Sequence, residues 1–263
     1  MNTFSKNKIS GLVITFNEEN HIEELIKNMN FVDELIIVDS FSTDKTVEIV
    51  KSYSHVTLIQ NKFEDYTKQR NLALSYANHN WILFLDADER IPDALRDEII
   101  ETVNSPVTKN AYYFVRKFMY KNKPLHFSGW QTDKNFRLFK KDKASYISTR
   151  LVHETLYVQG SVGILKHKLI HYSFSDYTIY KNKMISYGKL RAKELFLKQK
   201  KTNLIQLYLK PVYKFLYDYL IRLGILDGKK GIVICYLNAL SIYVRYKELK
   251  KLNNNNNNNN NLK

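Results

Sequence analysis

Four short apolar runs in the first ninety residues alternate with stripes of helical period, and that alternation leaves few architectures open. The runs are Ile9 to Phe16, Glu34 to Val38, Val56 to Ile59 and Trp81 to Leu85. Between and after them, Ile22, Leu25, Ile26 and Met29 recur at helical spacing, as do Val47 and Val50, then Leu72, Ala73, Tyr76 and Ala77, then Leu95, Ile99 and Val103. Strands alternating with amphipathic helices predict an α/β domain with a parallel, doubly wound sheet. Asn17-Glu18-Glu19-Asn20 is expected to open the first helix, Ser42 or Thr43 to cap the second, and Pro92 to sit in the first turn of the fourth. In such sheets ligands bind beyond the carboxyl ends of the strands. Asn17, Asp39 and Asp86 all fall at such ends.

The fourth run, Trp81-Ile82-Leu83-Phe84-Leu85, reads as a strand buried on both faces, and it stops at Asp86-Ala87-Asp88. If the backbone stays extended, the two aspartates point to the same side. Neighbouring carboxylates repel, and a hard divalent cation, Mg²⁺ or Mn²⁺, offsets that repulsion with oxygen ligands. Helix- or turn-capping acids are the bland alternative. Asp39 has the same two meanings, as an acceptor for a base or ribose or as a cap on its own turn.

Charge divides the chain. The whole carries +15, but residues 1–100 are net −7, residues 101–180 net +8 and residues 181–251 net +13. An acidic front and a basic back imply two jobs. The single cysteine, Cys235, excludes an internal disulfide and, with no signal peptide evident, fits a reducing compartment. No apolar run reaches the roughly 20 residues needed to span a bilayer. Neither G-x-G-x-x-G nor G-x-x-x-x-G-K-[ST] occurs, so the usual phosphate-cradling glycine loops are missing. A bound metal can take over their charge-neutralising role.

Read in order, Val13-Ile14-Thr15-Phe16-Asn17-Glu18-Glu19, Ile37-Val38-Asp39-Ser40-Phe41-Ser42-Thr43-Asp44-Lys45-Thr46, Lys68-Gln69-Arg70-Asn71 and Leu85-Asp86-Ala87-Asp88-Glu89-Arg90 resemble the family 2 glycosyltransferases of GT-A fold. The likeness is closest to the bacterial branch of lipopolysaccharide core biosynthesis glycosyltransferases. It continues through Gly129-Trp130-Gln131-Thr132-Asp133, Arg137-Leu138-Phe139, Leu151-Val152-His153-Glu154, His171-Tyr172-Ser173 and Leu223-Gly224-Ile225-Leu226-Asp227-Gly228. Phe41 departs from the pattern, since many relatives have glycine there. The resemblance implies an inverting transfer from a nucleotide-activated sugar. Thr15, Asn17, Glu19, Asp39, Arg70 and Asp86 would then bind the donor, and Asp88 with Asp86 the metal.

A carboxylate must also take the acceptor's proton. Glu154 and Asp133 are the candidates, and Glu154 is preferred because related enzymes place their base after the last core strand. Trp130, Arg137, His153 and His171 are placed on the acceptor side. Salt bridges from Asp133 to Arg137 and from Glu154 to Arg150 are the structural alternatives.

The expected organisation is a donor-binding half over 1–110, an acceptor-side half over 111–180, a basic amphipathic helical extension over 181–252 and a disordered asparagine-rich tail over 253–263. Basic helices with interleaved Leu, Tyr and Phe suit an anionic membrane surface better than nucleic acid, and a merely solvated helical face is the bland alternative. That places the enzyme peripherally on the cytoplasmic face of the inner membrane, with a saccharide or glycolipid acceptor. A sugar nucleotidyltransferase and a non-catalytic nucleotide- or carbohydrate-binding subunit are the rival readings.

Overall fold

The computed structural model describes residues 6–147, 155–174 and 176–260. The chain divides into two compact units, one comprising residues 1–116 and 133–171, the other residues 117–132 and 172–263. The linear cuts expected after residues 110 and 180 do not coincide with them.

The first unit is built as the alternation predicts. Strands β1 (Ile9–Thr15), β2 (Glu34–Asp39), β3 (Val56–Gln60) and β4 (Trp81–Asp86) form a parallel sheet in the order β3-β2-β1-β4. Helices α1 (Ile22–Asn28), α2 (Thr46–Lys51) and α3 (Tyr66–Tyr76) connect them, and α4 (Asp93–Asn104) follows a two-residue strand β5 (Glu89–Arg90). Next come β6 (Ala111–Tyr120), β7 (Lys123–Pro124), β8 (Lys134–Lys140), β9 (Ala144–Ile147), β10 (Thr155–Val158), β11 (Val162–Ile164) and β12 (Leu169–Phe174). Strand β8 adds to β4 antiparallel, and β6 pairs β8 antiparallel.

Alternate side chains of the central strands feed two cores. Val13, Ile37, Leu83 and Leu85 pack with Leu25, Ile26, Leu95 and Ile99 on one face. Leu12, Ile36, Ile82 and Phe84 pack with Ala73, Leu74 and Phe139 on the other. Burying a side chain of this size contributes about 1.5–3 kcal/mol, so the parallel strands are the rigid base on which their carboxyl ends are held.

Local expectations fail where polar side chains intervene. Helix α1 starts at Ile22 rather than directly after Asn17, because Asn17 is left-handed (φ 56°) and its carboxamide is engaged elsewhere. Helix α2 starts after Lys45 without a side-chain cap, since Ser42 bonds Asp39 instead. Extended backbone does not continue past Asp86: Ala87 and Asp88 form a turn. Arg90 closes that turn, donating from Nη1 to the carbonyls of Ala87 and Glu89, both at 2.7 Å.

The second unit contains β7, the loop to Thr132, and helices α5 (Tyr177–Leu197), α6 (Lys210–Leu216) and α7 (Lys229–Asn260). Single π-turns, Ile205–Leu209 and Tyr217–Ile221, flank α6 on either side. Phe118, Tyr120, Leu125, Tyr180, Met184, Ile234 and Leu237 make its core. Helix α7 carries on into the asparagine run that was expected to be disordered. Asparagine is a poor helix former, but extending an existing helix avoids the cost of nucleation.

Candidate active site

Register places the strand-end residues in one row. Across the parallel sheet Gln60 pairs with Asp39, Asp39 with Thr15, and Asp86 with Ile14. Thr15 Oγ1 is buried and makes no hydrogen bond among the described residues. Asp39 is fully buried. It accepts from the Ser42 amide at 2.9 Å, from the Ser42 hydroxyl at 2.5 Å and from Gln60 Nε2 at 3.3 Å. The turn-capping meaning of Asp39 is therefore realised in this state.

Asn17 and Glu19 lace the first two strand-end loops together. The Asn17 amide donates to Ser42 Oγ at 2.8 Å, and its Oδ1 accepts from the Thr43 amide at 2.8 Å. Glu19 Oε2 accepts from the Lys45 amide, while the Glu19 amide donates to Asp44 Oδ2, both at 3.1 Å. Phe41, the departure from the glycine of many relatives, lies in the left-handed region (φ 60°) and is about half exposed (54%). That backbone is the one glycine adopts without steric cost.

The two aspartates have separate partners. Asp86 Oδ1 accepts from Arg70 Nη2 at 2.8 Å, and its Oδ2 is held by Arg137 Nη2. Burial alone would raise the Asp86 pKa, but the guanidiniums of Arg137 and Arg70 outweigh it and hold the carboxyl well below the usual carboxylate range. Arg70 is further positioned by the rings of Phe84 and Tyr146, at 4.6 and 5.4 Å from its central carbon.

Asp88 Oδ2 meets His171 Nε2 at 3.1 Å. The contact arises because β12 pairs antiparallel with β5, setting His171 opposite Glu89. His21 belongs to the same surroundings. Burial lowers its pKa, partly countered by the nearby charge of Asp88.

Three further residues complete the cluster and were not singled out from sequence. Glu89 is fully buried, accepts from Arg137 Nη2 at 2.7 Å and from the Asp86 amide at 3.0 Å, and lies 3.6 Å from Arg116. Arg116 holds Asp133, its Nη2 at 2.5 Å and Nε at 2.6 Å from Oδ2. The partner of Asp133 is thus Arg116 rather than Arg137, which is committed to Asp86 and Glu89. Arg90 ties the turn to the start of α1, donating to the His21 carbonyl at 2.7 Å. The sequence signal for Glu89 and Arg90 was their place in the Leu85–Arg90 motif, whereas Arg116 lies in β6 and belonged to no motif.

Among the described residues, no three His, Cys, Asp or Glu side chains are disposed to hold a cation. Both Asp86 oxygens serve arginines, so the expected Asp86–Asp88 metal pair is divided. The chemistry of Asp88, a partly exposed carboxylate beside a histidine, fits a cation only if a substrate supplies most of the ligands. His153 and Glu154 lie outside the described residues. Trp130 belongs to the second unit, where its ring lies 4.6 Å from Phe118. Among the described residues no helix is long and apolar enough to cross a membrane.

Residues 10–158 match the family described as Glycosyl transferase family 2. An uncharacterized glycosyltransferase of Rickettsia prowazekii is 30% identical over 259 residues, covering 94% of this chain and 88% of the relative. The lipopolysaccharide core biosynthesis glycosyltransferase LpsC of Rhizobium meliloti is 27% identical over 260 residues, covering 90% and 93%. A mannosyltransferase of Pyrobaculum calidifontis, solved with GDP-Man and Mn²⁺, shares the fold at a TM-score of 0.54 and 15% identity, covering 94% of this chain and 88% of that one.

Proposed function

Since the chain belongs to glycosyl transferase family 2, we propose that it moves a sugar from a nucleoside-diphosphate donor to a hydroxyl of a saccharide or glycolipid, with inversion at the anomeric carbon. The observation that carries this reading is the row of Thr15, Asp39 and Asp86 at the carboxyl ends of adjoining parallel strands. Asp39 and Thr15 offer acceptors and a hydroxyl to a base or ribose, Asn17 and Glu19 line the same loops, and Arg70 brings positive charge. The name of the Rhizobium meliloti relative supports a lipopolysaccharide or other cell-surface glycan as the product.

Asp88 is the carboxylate that would hold a divalent cation, Mg²⁺ or Mn²⁺, brought in with the donor. When bound, it neutralises charge gathering on the departing diphosphate. Asp86 then acts through Arg70 and Arg137, fixing their guanidiniums. An acceptor oxygen forms a bond to the anomeric carbon as the bond to the donor phosphate breaks, and the acceptor proton passes to a carboxylate. We assign that base to Glu154 and give Asp133, oriented by Arg116, the task of placing the acceptor, with Arg137, His153, His171 and Trp130 on the acceptor side. The enzyme works peripherally at the cytoplasmic face of the membrane, where a soluble donor meets a lipid-borne acceptor.

Release of nucleoside diphosphate from a panel of nucleotide sugars, in the presence of deacylated glycolipid, tests the reading. Glu154→Gln is expected to reduce turnover roughly 10²- to 10⁴-fold with donor binding retained, and Asp133→Asn mainly to raise the acceptor KM. Wild-type turnover in both variants removes them from the chemistry. No release with any donor removes the proposed activity.

A further inference from the structure

Between Lys198 and Lys230 the usual partition of side chains is inverted. The only acids of this segment, Asp218 and Asp227, are both buried, whereas Leu204, Ile205, Leu209, Val212, Ile221 and Leu226 are each more than half exposed. The backbone is helical without a break from Leu204 to Ile221. A helix that is apolar on nearly every side is normally enclosed by a core. Here only Leu207 and Asp218 of that helix are buried.

The buried acids have an inward task. Asp227 accepts from the His126 amide at 2.9 Å, the Phe127 amide at 3.0 Å and the Ser128 hydroxyl at 2.8 Å. Asp218 accepts from Lys214 Nζ at 2.9 Å and Asn238 Nδ2 at 3.0 Å. The Arg222 carbonyl accepts from the Ser128 amide at 3.2 Å and Gln131 Nε2 at 3.1 Å, and Arg222 Nη2 donates to Thr132 Oγ1 at 2.8 Å. The loop from His126 to Thr132, which carries Trp130, is thereby fastened to the inner side of the segment. The charge left on its outer side, among apolar and tyrosine side chains, is positive only, the exposed lysines being Lys198, Lys200, Lys201, Lys210 and Lys229.

We propose that the outer side of Leu204–Leu226 is a docking surface for an anionic lipid leaflet, lying in the headgroup region with its leucine, isoleucine and valine side chains inserted. Charge selects this occupant: every exposed charge from Lys198 to Lys230 is positive, which matches acidic headgroups and disfavours a second copy of the same surface. Crossing the bilayer is ruled out by Lys210, Lys214, Asp218 and Arg222 spaced along the helix. The π-turn Ile205–Leu209 lies just before Pro211, which lacks an amide hydrogen, and the chain keeps its helical path past it. Docking would put the loop bearing Trp130 at the lipid surface. That consequence rests on the proposed glycolipid acceptor, whereas the docking itself does not.

Co-sedimentation of the full-length protein with phosphatidylcholine vesicles, with and without phosphatidylglycerol, tests the surface. The comparison is with the quadruple variant Ile205→Gln, Leu209→Gln, Val212→Gln, Ile221→Gln, whose exposed positions leave the thermal midpoint unchanged. Wild type is expected to pellet with phosphatidylglycerol vesicles, and the variant's partition to fall at least about tenfold. Equal pelleting of the two, or no binding by wild type, overturns the proposal. So does a lipid-free wild-type oligomer that the variant dissolves, with no vesicle binding by either. Nucleotide-sugar turnover is measured in the same wild-type preparations: no turnover with vesicle binding intact refutes the enzymatic reading, and turnover without vesicle binding refutes the surface alone.

Discussion

Replacing Glu89 by glutamine should be among the most destabilising single-atom-type changes in the first unit. Arg70, Arg116 and Arg137 face Asp86, Glu89 and Asp133, three charges against three. Glu89 is fully buried, and its two oxygens serve Arg137 and the Asp86 amide. Whichever way the introduced amide is turned, its NH₂ opposes one of those donors, and one positive charge is left uncompensated. Breaking a buried ion pair by removing one partner costs about 3–5 kcal/mol. The remaining amide oxygen keeps one bond, which points to the lower end, about 3 kcal/mol. For a protein of this size each kcal/mol moves the midpoint by roughly 2–4 °C, so the variant should melt about 6–12 °C below wild type. Glu24→Gln is the control, because Glu24 meets Arg90 at 3.4 Å with its side chain 76% exposed, and such pairs contribute about 0–1 kcal/mol. Scanning calorimetry of both variants decides the matter. A loss of less than about 2 °C for Glu89→Gln, or one equal to that of Glu24→Gln, refutes the reasoning.

Three other outcomes follow from the same coordinates. Phe41→Gly should raise stability by roughly 0.5–1 kcal/mol, because relief of the left-handed backbone exceeds the added unfolded-state entropy; a lower denaturation midpoint would count against it. Burial alone would raise the Glu34 pKa, but hydrogen bonds from Ser10 and Asn78 outweigh it and lower the value. The stability Glu34 contributes is therefore present above the unfolded value near about 4 and lost as pH falls below it, and Glu34→Gln should flatten that acid limb in urea titrations. Burial pushes the Cys235 thiol up to about 11, so its contribution is complete below the unfolded value of about 8.5 and declines as pH rises through the folded one. Native protein at pH 8 should resist maleimide labelling until denaturant is added, and fast labelling without denaturant would contradict the burial.

What sequence makes legible here depends on how local the cause is. The parallel strands and their helices follow from apolar periodicity, which alone places Asn17, Asp39 and Asp86 at strand ends. It does not place their partners, because Arg137 reaches Asp86 from fifty-one residues away and His171 reaches Asp88 only through the β5–β12 pairing. The extended backbone on which the same-side placement of Asp86 and Asp88 was conditional gives way to a turn at Ala87–Asp88, closed by the Arg90 side chain folding back on two carbonyls. In the basic C-terminal third the charge and aromatic content were evident. That most leucines between Leu204 and Leu226 are exposed while Asp218 and Asp227 are buried was not, since helical periodicity does not say which face meets the rest of the unit.

The central claim, a nucleoside-diphosphate-sugar site completed by a cation at Asp88, is tested most directly by thermal stabilisation with a panel of nucleotide sugars, with and without Mn²⁺. A ligand at one hundred times its Kd adds about 2.7 kcal/mol, which is roughly 5–10 °C in the midpoint. At least one nucleotide sugar should produce a shift of that size only when Mn²⁺ is present, and Asp88→Asn should abolish the shift without lowering the unliganded midpoint. No shift with any donor and cation, or an equal shift in Asp88→Asn, would contradict the account.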